Sequence, residues 1–343
     1  MSNAAPTLGV EYRSRTQLPP MADRWWLGVL GIAQFGPDPA PLELAQIPVA
    51  AVPLSTLGGR EVLYEIWRAE APIQAANFGA VRCRFNDQML FGCLSIPEPP
   101  QAATADDTLK AITTSAYAQI FAALEASGYR QLVRVWNYVS GINVPAHAGE
   151  RYWQFNSARH ESFVAFKWPI HEAAPAASAL GTPSGCPLVI YFLASRSAAQ
   201  MLENPRQVSA YRYPAKHGPR SPTFSRAALL SGGGGTLMIS GTASILGHET
   251  VHADDVGAQT AETMENIRAL ISTANRMIPE PRFSIEALVY KVYLRHAASF
   301  PKVAHALRAL VGPAAAIAFL SADVCRRELL VEIEAVGLGS ARG

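Results

Sequence analysis

The sequence predicts an α+β protein of two mixed-sheet units related by internal duplication, each with its helices packed on one sheet face. Three observations carry this. The segment 90–96 (Leu-Phe-Gly-Cys-Leu-Ser-Ile) resembles 239–245 (Ile-Ser-Gly-Thr-Ala-Ser-Ile), and Gly92 falls opposite Gly241. Each is followed at a near-constant interval by Ala-Asp-Asp, at 105–107 and 253–255, and then by a helical pattern. Each copy closes with a strand-like run, 188–194 or 330–336, reached through an alanine-rich stretch after Pro175 or Pro313.

Between these landmarks the elements correspond in order. Ile120, Phe121 and Leu124 give the first helix its apolar face, and Met264, Ile267 and Ile271 do so in the second, at the three- and four-residue spacing of a helix. Strands follow at 132–136 and 287–293, then aromatic-rich helical stretches near 152–163 and 300–310. Each unit therefore reads strand, helix, strand, helix, strand, strand. The boundaries expected are 1–203 for an N-terminal unit with extra strands and 204–343 for a basic connector and a C-terminal catalytic unit. The run 25–35 reads as a buried strand and 61–67 as a further one, without a place in the repeat.

Composition narrows the function. Of 343 residues, 49% are hydrophobic and 16% charged, which suits a filled core. A net charge of +2 gives no general attraction to nucleic acid or membrane, so neither is expected as a partner. Cys83, Cys93, Cys186 and Cys325 form no metal-type cluster and fit a reducing compartment. Without a leader-like start or a long apolar run, a cytoplasmic location is expected.

Local chemistry is concentrated late in the chain. From 204 to 248 there is no acidic residue, yet Arg206, Arg212, Lys216, Arg220 and Arg226 alternate with Tyr211, Tyr213 and Phe224. Arginine forks bind carboxylates and aromatic rings wall flat ones, so this connector suits a small planar dianion; a solvated basic loop or a nucleic-acid contact has the same composition. Glu332 places a carboxylate in an otherwise apolar strand, where the first copy, aligned at Ile190, has none. Shielded from water, such a carboxyl keeps its proton near neutral pH and can act as a general acid; if that face is wet, it is ordinary surface. Cys325 precedes Arg326 and Arg327, which would lower its pKa if they pointed at it.

Two motifs carry less than they promise. His248-Glu-Thr-Val-His252 matches the HExxH zinc pattern, but it follows a strand directly and aligns with a linker, so it reads as a loop. The glycine run 232–235 lacks the Lys-Ser/Thr of a phosphate loop.

The order of elements and the final Glu-Ile-Glu-Ala run resemble the RidA (YjgF) fold. The connector segments 204–214 and 218–226, the stretch 240–252, and Cys325 with Glu332 together resemble the chorismatases, over most of the chain from about Trp25 onward. This resemblance implies a duplicated RidA-like fold with one active site between the copies and neither metal nor redox cofactor. It implies that Glu332 protonates the enolpyruvyl methylene of chorismate, so that pyruvate leaves. Cys325 and Gly241 match members that make 3-hydroxybenzoate by intramolecular displacement and ring opening, with the Cys as proton donor. A related subtype also releases 4-hydroxybenzoate, and a hydrolytic one gives a dihydroxycyclohexadiene carboxylate. Arg220 and Arg226 are then expected to hold carboxylates, and Tyr213 to wall the ring or donate to it. Tyr152 and Arg159 would reach in from the other copy, with Asn137 and Arg295 at corresponding strand ends. The rivals are a RidA-like imine or enamine hydrolase, an HExxH zinc hydrolase, and a binding protein without chemistry. Fusion of two copies favours a monomer.

Overall fold

A computed structural model describes residues 8–38, 42–44, 46–59, 61–99, 108–146, 149–230, 235–280 and 282–339. The chain runs β1 (Leu8–Arg13), β2 (Val29–Gly36), β3 (Val49–Pro53) and β4 (Leu63–Ala69). The first unit follows: β5 (Gln74–Phe78), β6 (Val81–Phe85), β7 (Met89–Ile96), α1 (Thr108–Ser127) and β8 (Gln131–Ser140), then a small hairpin of β9 (Pro145–Ala146) and β10 (Gly149–Glu150). It ends with α2 (Arg151–Ala165), α3 (Ile170–Ala173), β11 (Ala176–Thr182) and β12 (Leu188–Ser195). The second sheet-forming stretch has β13 (Ala199–Leu202), β14 (Ala227–Leu230), β15 (Thr236–Ala243) and a hairpin of β16 (Ile245–Leu246) and β17 (Glu249–Thr250). It continues with α4 (Val256–Arg276), β18 (Leu288–Leu294), α5 (Phe300–Val311), β19 (Ile317–Ser321) and β20 (Val331–Leu338).

The duplication is explicit in the sheets. One has the order β11-β8-β12-β7-β6-β5, and the other, read from the matching edge, β19-β18-β20-β15-β14-β13. In both, the edge strand runs parallel to its neighbour and the last strand is antiparallel to both strands it pairs with. Helices cover one face of each: α1 packs with α2 over the first, and Met264, Ile267, Leu270 and Leu307 of α4 and α5 pack over the second. The Ala-Asp-Asp sequence of the second copy has a plain role. Asp255 caps α4, accepting from the amides of Gly257 (2.8 Å) and Ala258 (3.2 Å). Its counterpart at 105–107, like glycines 232–234, lies outside the described residues.

Strand alternation decides which residues face the centre. Val331, Ile333 and Ala335 lie in the helix-side core, so Glu332 and Glu334 point the other way. In β12 it is Ile190 and Phe192 that pack in the helix-side core, and Val189 and Tyr191 that face inward. The alignment of Ile190 with Glu332 thus matches two residues that face opposite ways. With a period of two, a one-residue slip exchanges the faces.

The N-terminal strands, unplaced by the repeat, form a third sheet of order β1-β4-β2-β3. β2 is parallel to β3, and β4 is antiparallel to both β2 and β1. This is the β7-β12-β8-β11 pattern again, without helices; Trp26, Leu44 and Ile47 cover its outer face instead. The run 25–35 is accordingly not one strand: Arg24–Gly28 forms a 3₁₀ turn that carries Trp26, and β2 starts at Val29.

The three sheets turn their inner faces to one core, which includes Phe35 and Trp67, Phe91, Trp136 and Tyr191, and Met238 and Tyr293. The fit is close where Gly31 meets Phe91, since a Cβ on Gly31 would overlap the Phe91 ring. Gly31→Ala should therefore destabilise the chain by about 1–3 kcal/mol through overpacking. Urea unfolding tests this; an unchanged midpoint would contradict so tight a junction.

Candidate active site

A cavity of about 200 Å³ opens between the two units, lined by residues of α2, the connector, β15, β20 and the loop between β19 and β20. A smaller inner chamber shares Tyr152, Phe224, Gly241, Cys325 and Glu332 with it and is closed by Asn156, Arg159 and Ser178. The two units meet at this chamber: the amide of Gly241 donates to Ser178 Oγ at 2.9 Å, and that of Ser225 to the carbonyl of Pro175 at 3.0 Å.

Glu332 lies at the floor and is 4% exposed. Burial, and next to it the charge of Glu334, push its carboxyl up to about 8, although Arg134 and Arg226 pull the other way. At neutral pH it is therefore a protonated acid facing a cavity. Gly241 makes this position possible. It falls where the pairing of β15 with β20 slips between Ile239 and Thr242, and a Cβ there would overlap Oε1 of Glu332.

Cys325 lines both compartments. The expectation that its two arginines lower its pKa does not hold. Burial and the neighbouring Glu332 push the thiol up to about 12, outweighing Arg326, so it carries its proton. Arg327 turns away to Glu150 (2.9 Å) and to the carbonyl of Asn143. Arg326 stacks over Tyr213 at 5.1 Å and donates to the carbonyl of His248 at 2.9 Å.

Cationic groups surround the acid. Arg226 is buried, donates to Val208 O (2.9 Å) and Tyr213 Oη (2.7 Å), and lies over Phe224 at 5.1 Å. Arg159 is buried above Tyr117 and Phe163. Nε and Nη2 of Arg159, Nε of Arg226 and Nη2 of Arg326 are buried without a hydrogen-bond partner among the described residues. Buried guanidinium N–H groups are costly to leave unmade, so Arg159 in the inner chamber and Arg226 and Arg326 in the outer cavity suit an anion held across the two. Tyr152, Asn156 and Arg159 share one face of α2 at helical spacing and all reach this chamber.

The structure thus brings together Glu332, Cys325, Gly241, Arg226, Tyr213, Tyr152 and Arg159. It does not bring in the other three candidates. Arg220 is exposed and outside the cavity lining. Asn137 is enclosed behind β11, accepting from Tyr117 (2.7 Å) and donating to the carbonyl of Ser178 (2.9 Å). Arg295 instead ties down the loop that carries Cys325, donating to the carbonyls of Val324 and Leu329 (both 2.9 Å) and of Arg326 (2.8 Å). Phe224, one of the connector's aromatic rings, lines both compartments as that composition suggested, whereas sequence reasoning missed Asn156 and Trp153 on α2. Asn156 was accessible from its spacing to Tyr152. Arg326 was weighed only for the thiol and not as an anion ligand.

The HExxH segment is not helical: Glu249 is in a short hairpin strand and His252 adopts a left-handed turn, φ 60°. The side chains of His217, His248 and Glu249 do converge, with candidate ligand atoms within 4.8 Å of one another. Glu249 is already engaged by the ammonium of Lys216, and burial and then Arg326 lower His217 to about 4. No helix among the described residues is long and apolar enough to cross a membrane.

A protonated carboxyl and thiol under an arginine-rich, aromatic-walled chamber define an acid-catalytic site for a small carboxylated ring. A family model described as chorismatase FkbO/Hyg5-like, N-terminal, matches residues 65–194. A chorismatase of Streptomyces rapamycinicus is 37% identical over 284 residues, which cover 80% of this chain and 82% of the relative. A 3-hydroxybenzoate synthase of Streptomyces hygroscopicus is 33% identical over 338 residues, or 94% of each chain. A chorismatase crystal structure matches with a TM-score of 0.86 at 30% identity, covering 98% of this chain and 99% of the other. The chain belongs to the chorismatase family.

Glu332 also sets a sign for stability. Its carboxyl titrates near 8 in the folded chain, above the ordinary 4.5, so the fold holds a proton that the unfolded chain releases. The stability linked to that proton is fully present below 4.5 and is lost progressively as pH rises from there to about 8. Glu332→Gln keeps the shape without the charge. Its advantage over the parent should therefore grow by about 1–3 kcal/mol across that window and stay level above it. Thermal melts across pH check this, and equal pH dependence in both chains would contradict a protonated Glu332.

Proposed function

We propose that this chain converts chorismate to pyruvate and 3-hydroxybenzoate, with Glu332 as general acid and Cys325 as a second proton donor. The observation that carries the reading is the buried, proton-bearing Glu332 beside Cys325 where two joined compartments meet, lined between them by arginines with unmade hydrogen bonds. Chorismate is a flat-ringed dianion. Arg159 and Arg226 match its carboxylates, and Tyr152, Tyr213 and Phe224 match its ring.

In this reading Glu332 delivers a proton to the enolpyruvyl methylene, and the electrons of that double bond take it up. The carbon bearing the ether oxygen becomes electron-poor, which weakens the bond from that oxygen to the ring. The ring hydroxyl displaces it intramolecularly, and pyruvate leaves with the ether oxygen. The strained ring ether then opens, its oxygen taking a proton from Cys325 while a ring carbon gives one up to reach aromaticity. Each proton delivered is matched by one lost, from the hydroxyl and from the ring carbon, so no water is consumed. That balance agrees with an acid and a thiol that both rest protonated. Residues 1–203 and 204–343 each contribute a wall of the cavity, and the active unit in this reading is a monomer.

The test is to incubate chelator-treated protein with chorismate and separate the products chromatographically, with Glu332→Gln and Cys325→Ala alongside. Pyruvate and 3-hydroxybenzoate in equal amounts are expected, with a loss of about 10²–10⁴-fold in Glu332→Gln. A non-aromatic diene as the main product would overturn the role given to Cys325. Absence of pyruvate would overturn the substrate.

A further inference from the structure

Behind Glu332, on its far side from the cavity, lies a buried charge cluster that none of the chemistry above uses. Glu334, two residues along β20, receives hydrogen bonds from Tyr293 Oη (2.5 Å), Trp136 Nε1 (2.7 Å) and Ser178 Oγ (3.0 Å), and from the guanidinium of Arg134. Lys291 Nζ lies 3.1 Å from its other oxygen. The same ammonium lies 2.5 Å from Glu65, a residue of the N-terminal sheet. Trp67 Nε1 (2.8 Å) and Tyr191 Oη (2.9 Å) complete the shell of Glu65. Glu65, Arg134, Lys291 and Glu334 are all at least 96% buried, and they draw on all three sheets. Two carboxylates and two cations balance.

We infer that Glu334 and, through Lys291, Glu65 are positioning residues for the acid, and that they set the proton affinity of Glu332 without touching the substrate. The inference rests on the reading of Glu332 as the acid. Its logic is geometric. Glu334 shares the inward face of β20 with Glu332, and Ser178 joins Glu334 to the amide of Gly241 at the floor of the cavity. The charged or titratable groups around Glu332 are Glu334 on its own strand, Arg134 from β8, Arg226 before β14, Tyr152 and, across the chamber, Arg159 from α2, and Cys325 from its loop. Among these Glu334 alone is a nearby carboxylate, held ionised against burial by Lys291 and Arg134. Glu65 neutralises Lys291. Without it the cluster carries a net positive charge, which would draw the proton off Glu332. The N-terminal sheet therefore reaches the reaction electrostatically, although none of its strands lines the cavity.

The test is the pH dependence of chorismate turnover in the full chain, for the parent, Glu334→Gln, Glu65→Gln and Trp67→Phe, with Glu332→Gln as reference. Activity requires a protonated acid, so it is lost as pH rises through the carboxyl's pKa. Removing either negative charge should move that alkaline limb to lower pH, by about one pH unit for Glu334→Gln and less for Glu65→Gln. Trp67→Phe disturbs the same packing without changing charge and should leave the limb in place while lowering the melting temperature. If Glu334→Gln does not fold, Glu65→Gln carries the test. Limbs unmoved in folded charge variants, with Glu332→Gln inactive, would overturn this inference and leave the proposed acid standing. An active Glu332→Gln would overturn both.

Discussion

Two glutamates share one face of one buried strand, and the structure depends on how their charges are resolved. Burial penalises both charges and their repulsion adds to it, and the environment decides which one yields. Glu334 meets a lysine, an arginine and three neutral donors, and keeps its charge. Glu332 faces a chamber without such a shell and keeps its proton. One strand thus presents a structural anion and an acid side by side. The separation of roles follows from what the opposite sheet offers at each position.

That dependence explains the architecture. A single unit could bury its helix-side face alone, but the inward face of β20 needs Arg134, Trp136 and Ser178 from the first unit. Lys291 in turn needs Glu65 from the N-terminal sheet. A buried ion cluster is weak evidence for stability, because desolvation offsets much of its Coulomb energy. What it does fix is contact across sheets: in this placement each of the four buried charges finds an opposite charge, and two of the three pairings reach between sheets. The same placement fixes Gly241 against Glu332 and closes the chamber.

Much of this was legible in the sequence, for identifiable physical reasons. The duplication was readable because strand and helix periodicities recur in order, and the structure follows that order from β7 to β20. Glu332 and Cys325 stood out because a carboxylate in an apolar strand and a thiol before two arginines are chemically unusual. The third sheet was not readable, because it lacks the helices whose periodicity marks the other two. Arg220 and Arg226 were indistinguishable in the connector, since composition does not show which arginine is buried under the aromatic rings. Arg159 was a weak candidate by type, and its unmade hydrogen bonds exist only once α2 is packed. Ile190 and Glu332 were aligned although they face opposite ways, which shows the limit of aligning short strands on apolar identity alone.

The central claim is that Glu332 carries a proton at neutral pH in the resting protein. Difference infrared spectroscopy of the parent against Glu332→Gln, recorded across pH, observes that proton without substrate or turnover. A protonated-carboxyl carbonyl band should be present in the parent at neutral pH, absent from the variant, and lost as pH rises through about 8. A parent spectrum with only a carboxylate at this position at neutral pH would contradict the account.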